Sequence, residues 1–265
     1  MLIETLTLIE QAPRLDENQL AVTFSTLAFL YLSQGNYIKA KSYYHLALDL
    51  WIKLLGFEHP DVATIFNNLA VAYRSLEAYE QATQYQEKAL SIYKGIYSSE
   101  HPEVARCLNN MAAQYRDMGE YEQAEPLYIQ ALHMREKTLG SEHPDVANSL
   151  HGLGELYRRK GKYQEAEQFL SDALSMREKL LGTDHIDTAF TLYSLAQTYD
   201  TVDKSNLAES YYKRALTIRE QIMGGEHPQT IIVMESYATF LRKRDREPEA
   251  RELEKRFQLV KEKTE

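Results

Sequence analysis

Residues 139–182 read LGSEHPDVANSLHGLGELYRRKGKYQEAEQFLSDALSMREKLLG, and the way this stretch repeats itself decides the fold. His143-Pro144 has counterparts at His59-Pro60, His101-Pro102, His185-Ile186 and His227-Pro228, successive copies lying 42 residues apart, with Glu58, Glu100, Glu142, Asp184 and Glu226 in front. The same register carries Tyr31, Tyr73, Tyr115, Tyr157 and Tyr199, and the small residues Ala70, Ala112, Gly154, Ala196 and Ala238. Alanine columns follow at Ala40, Ala82, Ala124, Ala166, Ala208 and Ala250, and at Ala47, Ala89, Ala131, Ala173 and Ala215. Self-similarity at a fixed period marks stacked supersecondary units and overrides the one or two ordinary domains that length alone suggests.

Each unit reads as two helices. Pro60 suits a first helical position, where no N–H is needed, and Asp61 suits the positive helix start; Val62, Ile65, Phe66, Leu69, Ala70 and Tyr73 then recur at helical spacing. The second helix of the third unit shows Tyr121, Ala124, Leu127, Tyr128, Ala131 and Leu132 before Leu139-Gly140. Gly56, Gly140 and Gly182 take the C-cap place, with Ser98 in the second unit. The turn inside each unit carries Gly35, Gly119 and Gly161, or else Glu77, Asp203 and Asp245, so a left-handed residue is not expected throughout. The alanines let helices approach to roughly 8–10 Å. One hairpin cannot bury both faces of its second helix, so stability must come from stacking neighbours.

The pattern Leu-x-x-Ala/Gly-x-x-Tyr, then Gly-x-Tyr-x-x-Ala, then Ala-Leu, resembles the tetratricopeptide repeat. The 42-residue unit with LG-x-[DE]-H-P-[DE]-V is similar to its kinesin light chain subclass, over residues 17 to 262. The resemblance implies an all-α, right-handed superhelical solenoid of helix-turn-helix repeats. A single domain, 1–265, is expected: a partial helix of a preceding unit at 1–16, repeats at 17–58, 59–100, 101–142, 143–184 and 185–226, and a last repeat with its capping helix at 227–265.

Composition narrows the function. With 39 Asp plus Glu against 30 Lys plus Arg, the formal net charge is −9, which argues against gripping nucleic acid or an anionic membrane. The one cysteine, Cys107, forms no internal disulfide, and no window approaches 18 uninterrupted apolar residues; a cytoplasmic location is expected. Five histidines at 42-residue spacing lie about one helix diameter, roughly 10 Å, apart, too far to share a metal, and they read as caps or turn packing. Gly152-Leu153-Gly154 lacks the preceding strand of a dinucleotide fingerprint and reads as packing. Cys107 stands in a small column with Ile65, Ser149, Thr191 and Val233, expected to be half-buried. No acid/base pair, nucleophile set, metal or cofactor is expected, and the chain reads as non-catalytic.

What remains is a surface. In the resembled class the first helices line a concave groove, whose columns here run Ser25, Asn67, Asn109, His151, Tyr193 and Glu235; Thr26, Asn68, Asn110, Gly152, Ser194 and Ser236; and Leu32, Arg74, Arg116, Arg158, Asp200 and Arg242. Helix interiors disfavour asparagine, so the doubled Asn67-Asn68 and Asn109-Asn110 need a reason: reading an extended peptide backbone, as the resemblance implies, or bonding each other between units. Arg74, Arg116 and Arg158, with Arg106 nearby, suit recognition of a carboxylate, or else pair with neighbouring glutamates. The expected peptide-binding set is Asn67, Asn68, Arg74, Arg106, Asn109, Asn110, Arg116, His151, Arg158 and Tyr193, with Phe190 and Tyr193 as an apolar pocket. The expected partner is a protein or peptide with an acidic segment.

The ends differ. The last helix, around Pro248 to Lys263, sets Ala250, Leu253, Phe257 and Val260 on one stripe and charge elsewhere, as a cap requires. Residues 2 to 12, with Leu2, Ile3, Leu6, Leu8 and Ile9, align with the second helix of a preceding unit and look uncapped. This end allows three readings: a homodimer through the N-terminal helix, a fragment of a larger regulatory protein, or a short helix covering the first hairpin.

Overall fold

The structure, a computed structural model, describes residues 16–97 and 99–264, without the side chains of 257–264. The expectations for residues 2 to 12, for Ser98, and for Phe257 and Val260 lie outside the described residues. Among the described residues there are twelve helices and no strand: α1 (Glu17–Ser33), α2 (Tyr37–Leu55), α3 (Pro60–Ser75), α4 (Tyr79–Ile96), α5 (Pro102–Asp117), α6 (Tyr121–Leu139), α7 (Pro144–Arg159), α8 (Tyr163–Leu181), α9 (Ile186–Thr201), α10 (Ser205–Met223), α11 (Pro228–Arg242) and α12 (Glu247–Thr264). Consecutive helices pair as hairpins, α1 with α2, α3 with α4, α7 with α8, α9 with α10 and α11 with α12, and the second helix of a pair packs on the first helix of the next, as α2 on α3, α4 on α5, α8 on α9 and α10 on α11.

The histidine column starts the helices. In α3, α5, α7, α9 and α11 the imidazole Nδ1 accepts the backbone N–H two residues on: Asp61 to His59 at 3.2 Å, Glu103 to His101 at 3.2 Å, and Asp145 to His143, Asp187 to His185 and Gln229 to His227 at 3.1 Å each. The ring thus supplies the acceptor that Ser, Asp or Asn ordinarily brings to an N-cap. The bond also fixes the tautomer, since an accepting Nδ1 leaves the proton on Nε2. His185 caps α9 although Ile186 replaces proline, so the cap does not depend on the proline.

The turn between paired helices corrects the sequence expectation. Glu77, Asp203 and Asp245 have φ of 58°, 56° and 57°, beside 73°, 81° and 74° at Gly35, Gly119 and Gly161, so a left-handed residue stands here in every repeat. Geometry is kept and the side-chain strain is accepted, because the chain must reverse within three residues. At the other junction Gly56, Gly182 and Gly224 cap α2, α8 and α10 with positive φ, whereas α4 ends one residue early on extended Tyr97.

Contacts divide the chain into two compact units, one ending at Met134 and the other starting at Arg135. The first has a core around Tyr44, Phe66, Leu69, Tyr93 and Leu108. The second is built on Leu170, Leu192, Leu195, Tyr212 and Phe240. Ala82, Ala89, Ala124 and Ala131 are fully buried where helices cross, as are Ala208 and Ala215 in the second unit. Gly154 replaces alanine because a Cβ there would lie 2.5 Å from Leu170 Cγ. Cys107 is fully buried, not half-buried, because its column faces the preceding hairpin. In the last hairpin Ala250 and Leu253 are buried under a charged surface.

Candidate functional site

The free faces of the first helices present the residues singled out in the sequence, and each unit arranges them differently. In the first unit, Asn67 on α3 lies inside the stack, 2% exposed. Its Oδ1 accepts from Gln86 Nε2 at 3.0 Å and from Asn110 Nδ2 at 2.9 Å, with the Cys107 thiol at 3.8 Å. One carboxamide oxygen therefore ties α3 to α4 and to α5. Asparagine is tolerated at this helix position because its oxygen is fully used by buried donors. Burial pushes the Cys107 thiol up to about 12, with Arg106 and the hydrogen bond to Gln86 opposing and Glu103 adding to it, so it stands protonated at neutral pH. Asn68, Asn109 and Asn110 are half-buried and reach the free face.

The arginines of this unit converge on acids. Arg116 donates Nη2 and Nε to Asp117 Oδ1 at 2.8 and 3.1 Å and Nη1 to the Tyr128 hydroxyl at 3.3 Å. Arg74, one repeat earlier, lies with Nε 3.7 Å from the other oxygen of Asp117. Two guanidinium groups thus share one carboxylate. Burial lowers the Arg74 pKa, Asp117 opposes this, and Arg116 adds to it by like-charge repulsion. Arg106 pairs with Glu103 and donates to the Tyr93 hydroxyl at 3.0 Å, a hydroxyl that also meets Thr64 Oγ1 at 2.8 Å. In sequence Asp117 sits beside Arg116 and one repeat beyond Ser75, so its role was readable only by laying the columns side by side.

In the second unit, Arg158 makes a two-pronged pair with Glu155, Nε to Oε1 at 3.1 Å and Nη2 to Oε2 at 2.9 Å. His151 Nδ1 lies 3.4 Å from Thr191 Oγ1. Tyr193 does not line an open apolar pocket: its hydroxyl meets Ser236 Oγ at 2.7 Å and accepts from Gln197 Nε2 at 2.8 Å, and burial raises its pKa. Phe190 and Tyr193 instead face Arg219, whose Cζ lies 4.4 and 5.3 Å from their ring centroids. Asp200, which interrupts the arginine column, accepts from Arg244 at 3.0 Å and Lys243 at 3.2 Å. Ser236 also lines an open depression with Arg158, Asp200, Glu235 and Tyr212.

A second arginine column passed unnoticed in the sequence although it keeps the same 42-residue spacing: Arg135, Arg177 and Arg219, after Trp51 and Tyr93. All three are nearly fully buried and donate to a main-chain carbonyl in the first turn of the next first helix: Arg135 to Asp145 at 2.9 Å, Arg177 to Asp187 at 2.7 Å, and Arg219 to Gln229. They staple one hairpin to the next. The usable signal was a cation at the helical spacing of the buried stripe of α8 and α10.

Among the described residues no cluster of three or more His, Cys, Asp or Glu is placed to hold a metal, and no helix is long and apolar enough to cross a membrane. What the faces offer is hydrogen-bonding amides and guanidinium groups paired with carboxylates.

None of the curated proteins matches this sequence. Among solved structures, BtubC (BKLC) from P. vanneervenii is 27% identical, over 84% of this chain and 88% of that one, with a TM-score of 0.59. The nearly identical repeats of a kinesin light chain from Podospora anserina are 26% identical, over 75% and 94%, with a TM-score of 0.54. NprR in complex with its peptide NprX has a TM-score of 0.75 over 92% of this chain and 68% of that one; at 19% identity it shares the all-α repeat fold alone. The sequence model of the tetratricopeptide repeat matches residues 19–95, 61–116, 103–179 and 156–221. With twelve helices among the described residues, a 42-residue period and that match, the chain belongs to the tetratricopeptide repeat family.

Proposed function

We propose that this chain is a non-catalytic scaffold that binds a linear, acidic segment of another protein on the free face of its first helices. The observation that carries the reading is the pair Arg74 and Arg116 with one carboxylate, Asp117, between them. Two guanidinium groups thus stand close together on a chain whose net charge is −9, and guanidinium groups recognise carboxylates with paired N–H donors. Asn109 lies two helical turns before Arg116, on the same face, and Asn68 and Asn110 flank it; carboxamides there supply both donor and acceptor to an extended backbone. In the second unit His151, Arg158 and Tyr193 contribute. Asn67 acts from beneath, by holding Asn110.

Peptide complexes are named among proteins of the same fold: NprR with NprX, a Rap protein with competence and sporulation factor, and a Rap conjugation regulator with the Phr* peptide. These complexes support peptide binding as a use of the fold. A display selection with the wild-type chain, beside a folded Arg74/Arg116/Arg158 triple-alanine variant, tests the reading. Enrichment of an acidic motif by the wild type alone supports it. Equal enrichment by both chains, or affinity unchanged between low and physiological salt, refutes it.

Self-association is the second reading, and one observation favours it. Leu20, Thr23 and Phe24 of α1 are half-exposed, whereas the equivalent residues of α3, Val62, Ile65 and Phe66, are buried by the preceding hairpin. Sedimentation over a hundredfold concentration range decides: a mass that stays monomeric removes this reading.

A further inference from the structure

Arg219 differs from the other members of its column. Arg177 has three acceptors: the Asp187 carbonyl, Thr191 Oγ1 at 2.5 Å, and Asn148 Oδ1 at 2.6 Å. Arg135 has Ser149 Oγ at 2.8 Å beside its carbonyl. One repeat after Thr191 stands Val233, and one repeat after Asn148 stands Phe190, so both side-chain oxygens are gone around Arg219. It keeps the Gln229 carbonyl and is 1% exposed; its Nε, like those of Arg135 and Arg177, has no hydrogen-bond partner. No carboxylate faces it; burial lowers its pKa to about 10, opposed by Tyr193 alone. A buried cation with one main-chain acceptor, no side-chain acceptor and aromatic faces over it is costly unless something else completes its coordination.

The neighbouring repeat shows what completes it. Asn148 belongs to the free face of α7, and its oxygen reaches down to the guanidinium of Arg177. That slot is thus open to an oxygen approaching from the binding face, and at Arg219 it is roofed by the half-buried Phe190 ring. Beside it, Tyr193 bonds Ser236, which also lines the open depression with Arg158 and Glu235. The depression carries Asp200 and Glu235, which disfavours a doubly charged phosphate and leaves a single carboxylate as the fitting anion.

We propose that Arg219 is the floor of a carboxylate-binding subsite in the second unit: the Phe190 ring turns aside, and a carboxylate of the bound peptide takes the position on Arg219 that Asn148 Oδ1 takes on Arg177. The subsite rests on the peptide reading for its ligand, and its chemistry is shared by a terminal carboxylate and a glutamate side chain.

The test follows the Arg219 Nε–H resonance in arginine-labelled full-length chain, assigned by its loss in Arg219→Lys. The probes are N-acetyl-Ala-Phe-Ala with a free carboxylate, the same peptide amidated, and amidated N-acetyl-Ala-Glu-Ala. Either carboxylate probe moves the resonance and the uncharged amide does not; which one moves it names the source. Phe190→Asn, which copies Asn148, fills the slot from within and weakens the response at least about tenfold, as loss of a buried charge-assisted pair should. Phe190→Ala removes the roof and strengthens it. A resonance that ignores both carboxylates, or a response untouched by Phe190→Asn, overturns the proposal. Response at Arg219 with no peptide from the display selection keeps the subsite and removes the groove reading; a selected peptide that leaves Arg219 unmoved does the reverse.

Discussion

Replacing Gly154 with alanine sets two effects of known size against each other. In an exposed helix the change stabilises by about 1 kcal/mol, because glycine gives up more backbone freedom on folding. At residue 154 the new methyl lies 2.5 Å from Leu170 Cγ, 2.8 Å from its Cδ2 and 3.2 Å from its main-chain nitrogen. Leu170 is fully buried against the second core, so its side chain has no free volume to enter, and the nitrogen can retreat only by moving α8. Overpacking of this kind costs roughly 1–3 kcal/mol, so the expected net effect is a destabilisation of up to about 2 kcal/mol. Urea unfolding followed by circular dichroism at 222 nm measures it. The check is Leu170→Ala: alone it costs about 2–5 kcal/mol, and in the Gly154→Ala background it costs less, since the methyl then fills part of the cavity. A Gly154→Ala chain that gains stability, or two changes that simply add, would refute the close-packing account of this column.

Glu77→Gly should stabilise the first unit by about 0.5–1 kcal/mol, because Glu77 holds φ of 58° where glycine stands in three other repeats; urea midpoints decide. The Glu209 carboxyl is held at about 2, chiefly by its hydrogen bond from Arg246 and also by Lys213. A carboxyl depressed in the folded state contributes stability that is present above its unfolded pKa of about 4.3 and is lost as pH falls toward 2, so Glu209→Gln should flatten the acid side of the stability profile. Burial lowers the His45 pKa, so its contribution is complete above about 6.5 and is lost as pH falls below that value; His45→Gln removes this step. Arg116→Ala should cost less than about 1 kcal/mol, since Asp117 keeps Arg74, while Ala124→Leu costs roughly 1–3; thermal melts of the two variants separate a surface role from a packing one.

Helix starts, alanine crossings and the small residue at Gly154 were legible because each rests on spacing alone. The left-handed turn at Glu77, Asp203 and Asp245 was not, because these residue types do not demand positive φ; the backbone closure imposes it. For the binding face, columns identified which residues to examine but not how deep each side chain lies. Asn67 and Asn109 share a column, yet Asn67 is enclosed by Gln86, Asn110 and Cys107. The glutamates and aspartate that hold the arginines come from neighbouring positions that differ from repeat to repeat, and the period hides such partners. Arg219 was overlooked for the opposite reason: its column looks uniform, and the loss of acceptors at Phe190 and Val233 shows only when three columns are compared.

A chain made of near copies faces a danger that ordinary folds escape. While folding, a hairpin meets several first helices of similar shape and hydrophobicity, and docking on the wrong one would shift the stack by a whole repeat. The Asn67 oxygen counters this in the first unit. Gln86, on the same hairpin, occurs where the other repeats have Tyr44, Tyr128, Leu170 and Tyr212, and Asn110, on the next hairpin, stands where the later repeats have Gly152, Ser194 and Ser236. A misdocked hairpin would keep its own Gln86 bond but lose the one from Asn110, at a cost of about 0.5–1.5 kcal/mol, so a polar contact that adds little net stability acts as an address label, making one order of assembly cheaper than its near duplicates.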